Sequence, residues 1–122
     1  MKPMLSILLV ATLSLLASCD APGEGQKAQA GKALGSSVAT ALEHFMAEKG
    51  HYPETLPELH PKYLTFVPKE SGHGDTEGTL FSYAKQLDGS YRLSFSYFGP
   101  GANECCLEAP RQPLLWVCRG HY

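Results

Sequence analysis

Hydrophobic side chains fall along this chain in three blocks with different periods. Residues 4–17 form a run without a single charge, from Met4-Leu5 to Leu16-Ala17. That run is shorter than the ~20 residues a membrane-spanning helix needs. Across residues 32–49 the apolar positions Leu34, Val38, Ala41, Leu42, Phe45 and Met46 recur at intervals of three and four. This is one stripe of an amphipathic helix, and Gly50 stands where a left-handed residue ends such a helix. His44 lies about 200° around the helix from Leu42 and is expected to face solvent. Residues 90–98 alternate instead, with Tyr91, Leu93, Phe95 and Tyr97 on one face and Arg92, Ser94 and Ser96 on the other. Alternation of this kind is the period of a half-buried strand.

The segments between these blocks are punctuated. Residues 51–64 carry Pro53, Pro57 and Pro61. Thr55 and Glu58 have capping-box spacing, and Pro57 falls in the first turn, where its missing N–H costs little. The expectation is a single helical turn pinned onto the long helix by Tyr52, Leu56, Leu59, Tyr63 and Leu64. Val67-Pro68 leads into a polar loop over residues 69–78. A hairpin then pairs residues 79–86 with 90–98. A two-residue loop would set Phe81 beside Ser96, whereas the three-residue loop Leu87-Asp88-Gly89 sets Phe81 opposite Phe95 and Tyr83 opposite Leu93. One residue of slip exchanges the faces, so the three-residue loop is favoured. Gly99-Pro100-Gly101 ends the strand, and after a loop residues 114–118 read as a third. The fold class that follows is α+β, one long N-terminal helix packed on a three- to four-stranded antiparallel sheet. Residues 20–31 hold no large apolar side chain and read as a flexible tether, so the domain is expected to begin near Lys32.

Composition sharpens this picture in two respects. The chain has 122 residues, 43% of them hydrophobic, and a formal charge of −2, which is room for one domain. Met1-Lys2 followed by the apolar run is the layout of a secretory signal. Without residues 1–18 the chain keeps nine basic and twelve acidic side chains, a net charge of −3. A mildly acidic domain has no electrostatic footprint for nucleic acid.

Leu16-Ala17-Ser18-Cys19 resembles the lipobox of bacterial lipoproteins, with a branched aliphatic, two small residues and a cysteine. The resemblance implies a signal peptide over residues 1–18, diacylglycerol on the Cys19 sulfur and acylation of the new amino terminus, palmitate included. Several acyl chains hold a domain to a membrane where one binds only marginally. Asp20 resembles the signal that retains such lipoproteins in the inner membrane, which implies a periplasmic-side anchor there in preference to the outer membrane. The chain then divides into a signal peptide (1–18), a lipidated cysteine with its tether (19–31) and a globular domain (32–122).

The order of features in that domain resembles the globular heads of type II secretion pseudopilins and type IV pilin-like proteins. The residues that carry it are Glu48-Lys49-Gly50-His51-Tyr52-Pro53-Glu54-Thr55-Leu56-Pro57-Glu58-Leu59, then Tyr63-Leu64, Val67-Pro68, Phe81-Ser82-Tyr83 and Tyr91-Arg92-Leu93-Ser94-Phe95. The resemblance covers roughly residues 32–118. A pilin, however, carries a long apolar helix that is both membrane anchor and filament core. Here a lipobox and a tether stand in its place, so the chain is not expected to stack into a pilus.

Candidate chemistry is sparse. With Cys19 acylated, Cys105, Cys106 and Cys118 remain, an odd number for an oxidising compartment. Either Cys106–Cys118 or Cys105–Cys118 staples the loop after the hairpin to the last strand. Cys106–Cys118 is the slightly favoured pairing, and pilin heads often close a loop near the carboxyl terminus with a disulfide. His44, His51, His60, His73 and His121 form no Cys-x-x-Cys or His-x-x-x-His pair and read as dispersed, solvated side chains. The loop Gly72-His73-Gly74-Asp75-Thr76-Glu77 has oxygen ligands, and some pseudopilins bind calcium, but it lacks alternating carboxylates. No metal or other cofactor is expected beyond the lipid. No nucleophile elbow, phosphate loop or zinc-protease motif is present, so no catalytic residues are assigned. Tyr83, Tyr91, Tyr97 and Trp116 are either the floor of a binding surface or core aromatics under the helix. The function expected is non-enzymatic contact with a protein partner in the cell envelope, accessory to a secretion or pilus-like system. The alternative is a small envelope lipoprotein that inhibits or neutralises an enzyme or toxin.

Overall fold

The computed structural model describes residues 21–72, 78–99, 101–107 and 114–121. One helix, α1 (Gly25–Lys49), lies on one side of a four-stranded antiparallel sheet, an α+β arrangement. The strands β1 (Leu80–Lys85), β2 (Tyr91–Phe98), β3 (Ala102–Leu107) and β4 (Trp116–His121) are neighbours in chain order, a plain meander. Between helix and sheet a 3-10 turn, Leu56–Leu59, buries both of its leucines.

The helix starts earlier than the hydrophobic pattern predicts. Residues 25–31 are helical, with Ala28 and Gly31 buried, so the expected tether is in large part the first two turns of α1. Small side chains mark close packing here. A Cβ on Gly31 would lie 2.3 Å from Cε2 of Phe95, and one on Gly35 would lie 2.7 Å from the Trp116 ring. The buried stripe therefore runs Gly31, Gly35, Val38, Leu42 and Phe45, again at intervals of four and three. Leu34, assigned to the stripe by its hydrophobicity, is 39% exposed. The helix ends as expected at Gly50, whose N–H donates to the Met46 carbonyl.

The segment after α1 is tied back to it. The Tyr63 ring packs at a tilt against Phe45 with centroids 5.3 Å apart, and the Glu48 carboxylate accepts hydrogen bonds from Tyr63 Oη and Lys62 Nζ. The Glu58 carboxylate accepts from the Thr55 N–H at 2.7 Å, the expected reciprocal cap of the short turn.

The β1–β2 hairpin has the three-residue loop predicted from register. Phe81 pairs with Phe95 and Tyr83 with Leu93. Gly89 has φ +87°, a left-handed value that other residues rarely adopt. Two strand assignments differ from the sequence reading. β4 begins at Trp116 and extends to His121, and β3 occupies a stretch read as loop. Residues 102–107 are rich in weak strand formers, Ala102, Asn103 and Glu104 among them. Tertiary pairing on both sides, with β2 and β4, overrides that preference.

Candidate functional site

Strand alternation gives the sheet two unlike faces. Toward α1 point Phe81 and Tyr83 from β1, Tyr91, Leu93, Phe95 and Tyr97 from β2, Cys105 and Leu107 from β3, and Trp116 from β4. Tyr91, Leu93, Phe95, Tyr97 and Cys105 are buried there. Of the aromatic set, Tyr91 and Tyr97 are buried in the core, and Tyr83 and Trp116 are partly buried and packed against it. The face that carries these rings is the one α1 covers.

The cysteine pairing also differs from the favoured one. The disulfide is Cys105–Cys118, and Cys106 is a free thiol. Register decides it. Cys105 stands directly opposite Cys118 on the helix-facing side, whereas Cys106 stands opposite Val117 on the outer face. The alternation of residues 102–107, had they been read as a strand, would have shown the same parity.

The outer face is polar at its centre. Ser82, Ser94 and Cys106 form one cross-strand row, and Leu80, Ser96, Glu104 and Arg119 form the next. Two shallow clefts of about 190 and 240 Å³ lie over it, sharing Ser82, Ser94 and Glu104. The Cys106 thiol donates to the Glu104 carboxylate at 3.3 Å. Partial burial first, and then Glu104, push its pKa up, while Arg92 pulls it down. A raised thiol stays protonated at neutral pH and is a poor nucleophile. Phe98, Leu115 and Val117 add exposed apolar area to this side of the molecule. On the opposite side, an open groove of about 430 Å³ runs between α1 and residues 63–66, lined by Ser36, Thr40, His44, Tyr63 and Phe66.

Three tyrosines cluster beneath the C-terminal half of α1. Tyr52 and Tyr91 meet edge to face at 4.8 Å, and Tyr83 stacks on Tyr91 at 6.1 Å. Tyr52 Oη donates to Glu43 and Tyr83 Oη to the Pro53 carbonyl. Burial, followed by the Glu43 carboxylate, pushes the Tyr52 phenol up to about 12. Burial raises Tyr83 and Tyr91 as well, helped by Glu54 at the first and Glu43 at the second. A phenol raised in the fold holds its proton where the unfolded chain loses it, so this stabilisation is complete below about pH 10. It is lost as pH climbs from there through the folded values. The unfolding free energy is therefore expected to fall as pH rises above about 10. Urea titrations followed by circular dichroism across that range measure the slope, and Tyr91→Phe should flatten it by removing one of the three.

At the other end of α1 the first described residues are clamped to the sheet. The Gly23 N–H donates to Tyr97 Oη at 3.0 Å, and Lys32 Nζ donates to the Gly23 carbonyl at 2.9 Å. Lys27 Nζ donates to the Phe98 carbonyl at 2.6 Å. Asn103, buried, donates to the carbonyls of Gly99 and Gly101 and shapes the β2–β3 turn beside this clamp. Nothing in the sequence marks the arrangement, because every bond joins residues more than 70 positions apart or uses a main-chain group.

Of the remaining sequence-predicted sites, Cys19 and His73 lie outside the described residues, as does most of the 72–77 loop considered for calcium. His44, His51 and His60 are exposed and separate along the chain, and His121 closes β4. Among the described residues no three His, Cys, Asp or Glu side chains gather closely enough to hold a metal ion. No described helix is long and apolar enough to cross a membrane. Comparison with family models, curated proteins and solved structures finds no match to this chain.

Proposed function

We propose that this chain is a lipid-anchored protein on the periplasmic side of a bacterial membrane, and that its pilin-like head acts by contact with another envelope protein. A secretion or pilus-like system is the setting the resemblance implies. The observation that carries the reading is the junction between anchor and head. The lipobox cysteine, Cys19, is followed by Asp20 alone before the clamped segment that opens at Ala21. A helix that opens with Gly25, Ala28 and Gly31 also differs from the long apolar helix of a pilin.

The contact role is supported by the outer sheet face. α1 covers one side of the sheet, and the other presents serines, Arg92 and Glu104 with Leu115 and Val117 exposed among them. A mixed polar and apolar area of this kind suits a reversible protein interface.

Cys19→Ser is expected to abolish palmitate labelling and to move the protein from the membrane to the soluble periplasmic fraction. Labelling that persists in this variant would sink the anchor. A photo-crosslinking residue at Val117 is expected to yield one discrete protein adduct in membranes, with none from the same residue at Thr40 on the exposed side of α1. Equal, diffuse crosslinking from both positions would remove the outer face as the contact surface.

A further inference from the structure

We infer that the head does not hang freely from its lipid but stands on the bilayer in one orientation. The end formed by Ala21, Lys27 and the β2–β3 turn rests on the headgroups, and Phe98 sits in the interface. The inference rests on the lipid-anchor reading and adds to it a membrane-contact surface.

The argument starts from chain length. Twenty residues precede the first described one, and Cys19 is two positions before Ala21. Two residues reach at most about 7 Å even fully extended. A sulfur that carries acyl chains lies at the boundary of headgroups and hydrocarbon. Ala21 is therefore held within the thickness of the headgroup layer.

The clamp turns a short leash into an orientation. If residues 20–31 were the flexible tether that composition suggests, the head would tumble above the surface. Instead Gly23 is hydrogen-bonded to Tyr97 and to Lys32, and α1 begins at Gly25. Gly23 also lies against Cys118, where an added Cβ would come within 2.9 Å of the sulfur. The segment after the anchor is thus part of the rigid body.

The surface beside the clamp has the composition such a position demands. Phe98 is 51% exposed at the end of β2, although its own carbonyl is tied to Lys27. Gly101 and Ala102 next to it are exposed and uncharged. An aromatic ring among small residues, with a lysine stem alongside, is the side-chain set that settles at a membrane interface. At the far end of β2, eight residues or about 25 Å away, the hairpin tip carries fully exposed Leu87. In this orientation Leu87 points away from the membrane.

The test uses the full chain, purified with its lipid and reconstituted in vesicles of phosphatidylethanolamine and phosphatidylglycerol with brominated acyl chains. Tryptophan is placed by Phe98→Trp or Leu87→Trp, and the signal of native Trp116 is subtracted using the unaltered protein. Phe98→Trp emission is expected to be quenched roughly twofold relative to unbrominated vesicles, with Leu87→Trp unaffected. Should the substitution disturb the turn, amide exchange on the unaltered protein supplies a second readout. The amides of Gly99, Gly101 and Ala102 should slow on vesicles and those of Leu87 and Asp88 should not. If Phe98→Trp is unquenched and the turn unprotected while the protein floats with vesicles and its Cys19 peptide has acyl mass, the orientation is wrong and the anchor stands. If the Cys19 peptide is unmodified and the protein stays in solution, both fall.

Discussion

Removing the disulfide, as Cys105→Ala with Cys118→Ala, is expected to lower the unfolding free energy by about 3 kcal/mol. The bridge closes a loop across a sequence separation of 13, and the chain-entropy model assigns about 3 kcal/mol to a loop of that size. Small domains unfold at a total cost of roughly 5–15 kcal/mol, so the loss is a large share. The bridge joins β3 to the edge strand β4, which has a neighbour on one side only in the sheet order. Its loss should therefore loosen β4 and the Gly23 segment packed on Cys118 before the rest of the sheet. Urea denaturation of the double variant against the parent measures the change. Cys106→Ala should cost far less, because that thiol is partly exposed on the outer face and its hydrogen bond is to the Glu104 carboxylate beside it. A Cys106–Cys118 peptide in a non-reducing digest, or equal costs for the two variants, would overturn the pairing.

Gly31→Ala should destabilise the domain by about 1–2 kcal/mol, although alanine is the better helix former. The propensity gain is roughly 1 kcal/mol. Against it, the new Cβ would meet three atoms of the Phe95 ring at 2.3–2.9 Å. Phe95 has little room to yield, since it is 1% exposed and packed by Phe81, Tyr97 and Trp116 at centroid distances of 5.1–6.2 Å. Overpacking a closed core costs about 1–3 kcal/mol and sometimes more, so the steric effect wins. Gly35→Ala supplies the contrast. Its Cβ would meet the Trp116 ring at 2.7 Å, but Trp116 is only half-buried and stands on the edge strand. That ring can shift outward, and the loss should be smaller. Thermal unfolding of the two single variants settles the order. A stabilised Gly31→Ala protein would mean that the helix sits farther from the sheet than its small-residue stripe implies.

Both predictions concern contacts that the linear pattern misjudges, each for its own physical reason. Hydrophobic periodicity reports which side chains seek burial; it is silent where burial is achieved by having almost no side chain. Gly31 and Gly35 lack the apolar bulk that marks a core stripe, so residues 25–31 read as a tether and Leu34 was promoted in their place. The β1–β2 hairpin was legible to the residue, because Phe81, Tyr83, Leu93 and Phe95 are large and one register alone puts them on a common face. β3 was not, because Ala102, Asn103 and Glu104 are poor strand formers that pair only once β2 and β4 are in place. The cysteine pairing failed with β3. Parity within a strand separates Cys105 from Cys106, and without the strand there is no parity to use.

By itself the sequence determined what local chemistry controls. That is the amphipathic helix ended by Gly50, the capped turn at Thr55–Glu58, the three-residue hairpin loop and the α+β class. Only the tertiary structure decided what depends on distant residues meeting. It chose Cys105 over Cys106, turned Tyr91 and Tyr97 into the core under the helix, and joined Gly23 to Tyr97 and Lys27 to Phe98 across more than 70 positions. Those last contacts bear most on the proposed function. A hydrogen bond from a main-chain N–H leaves no trace in residue identity, yet such a bond ties Gly23 to the sheet.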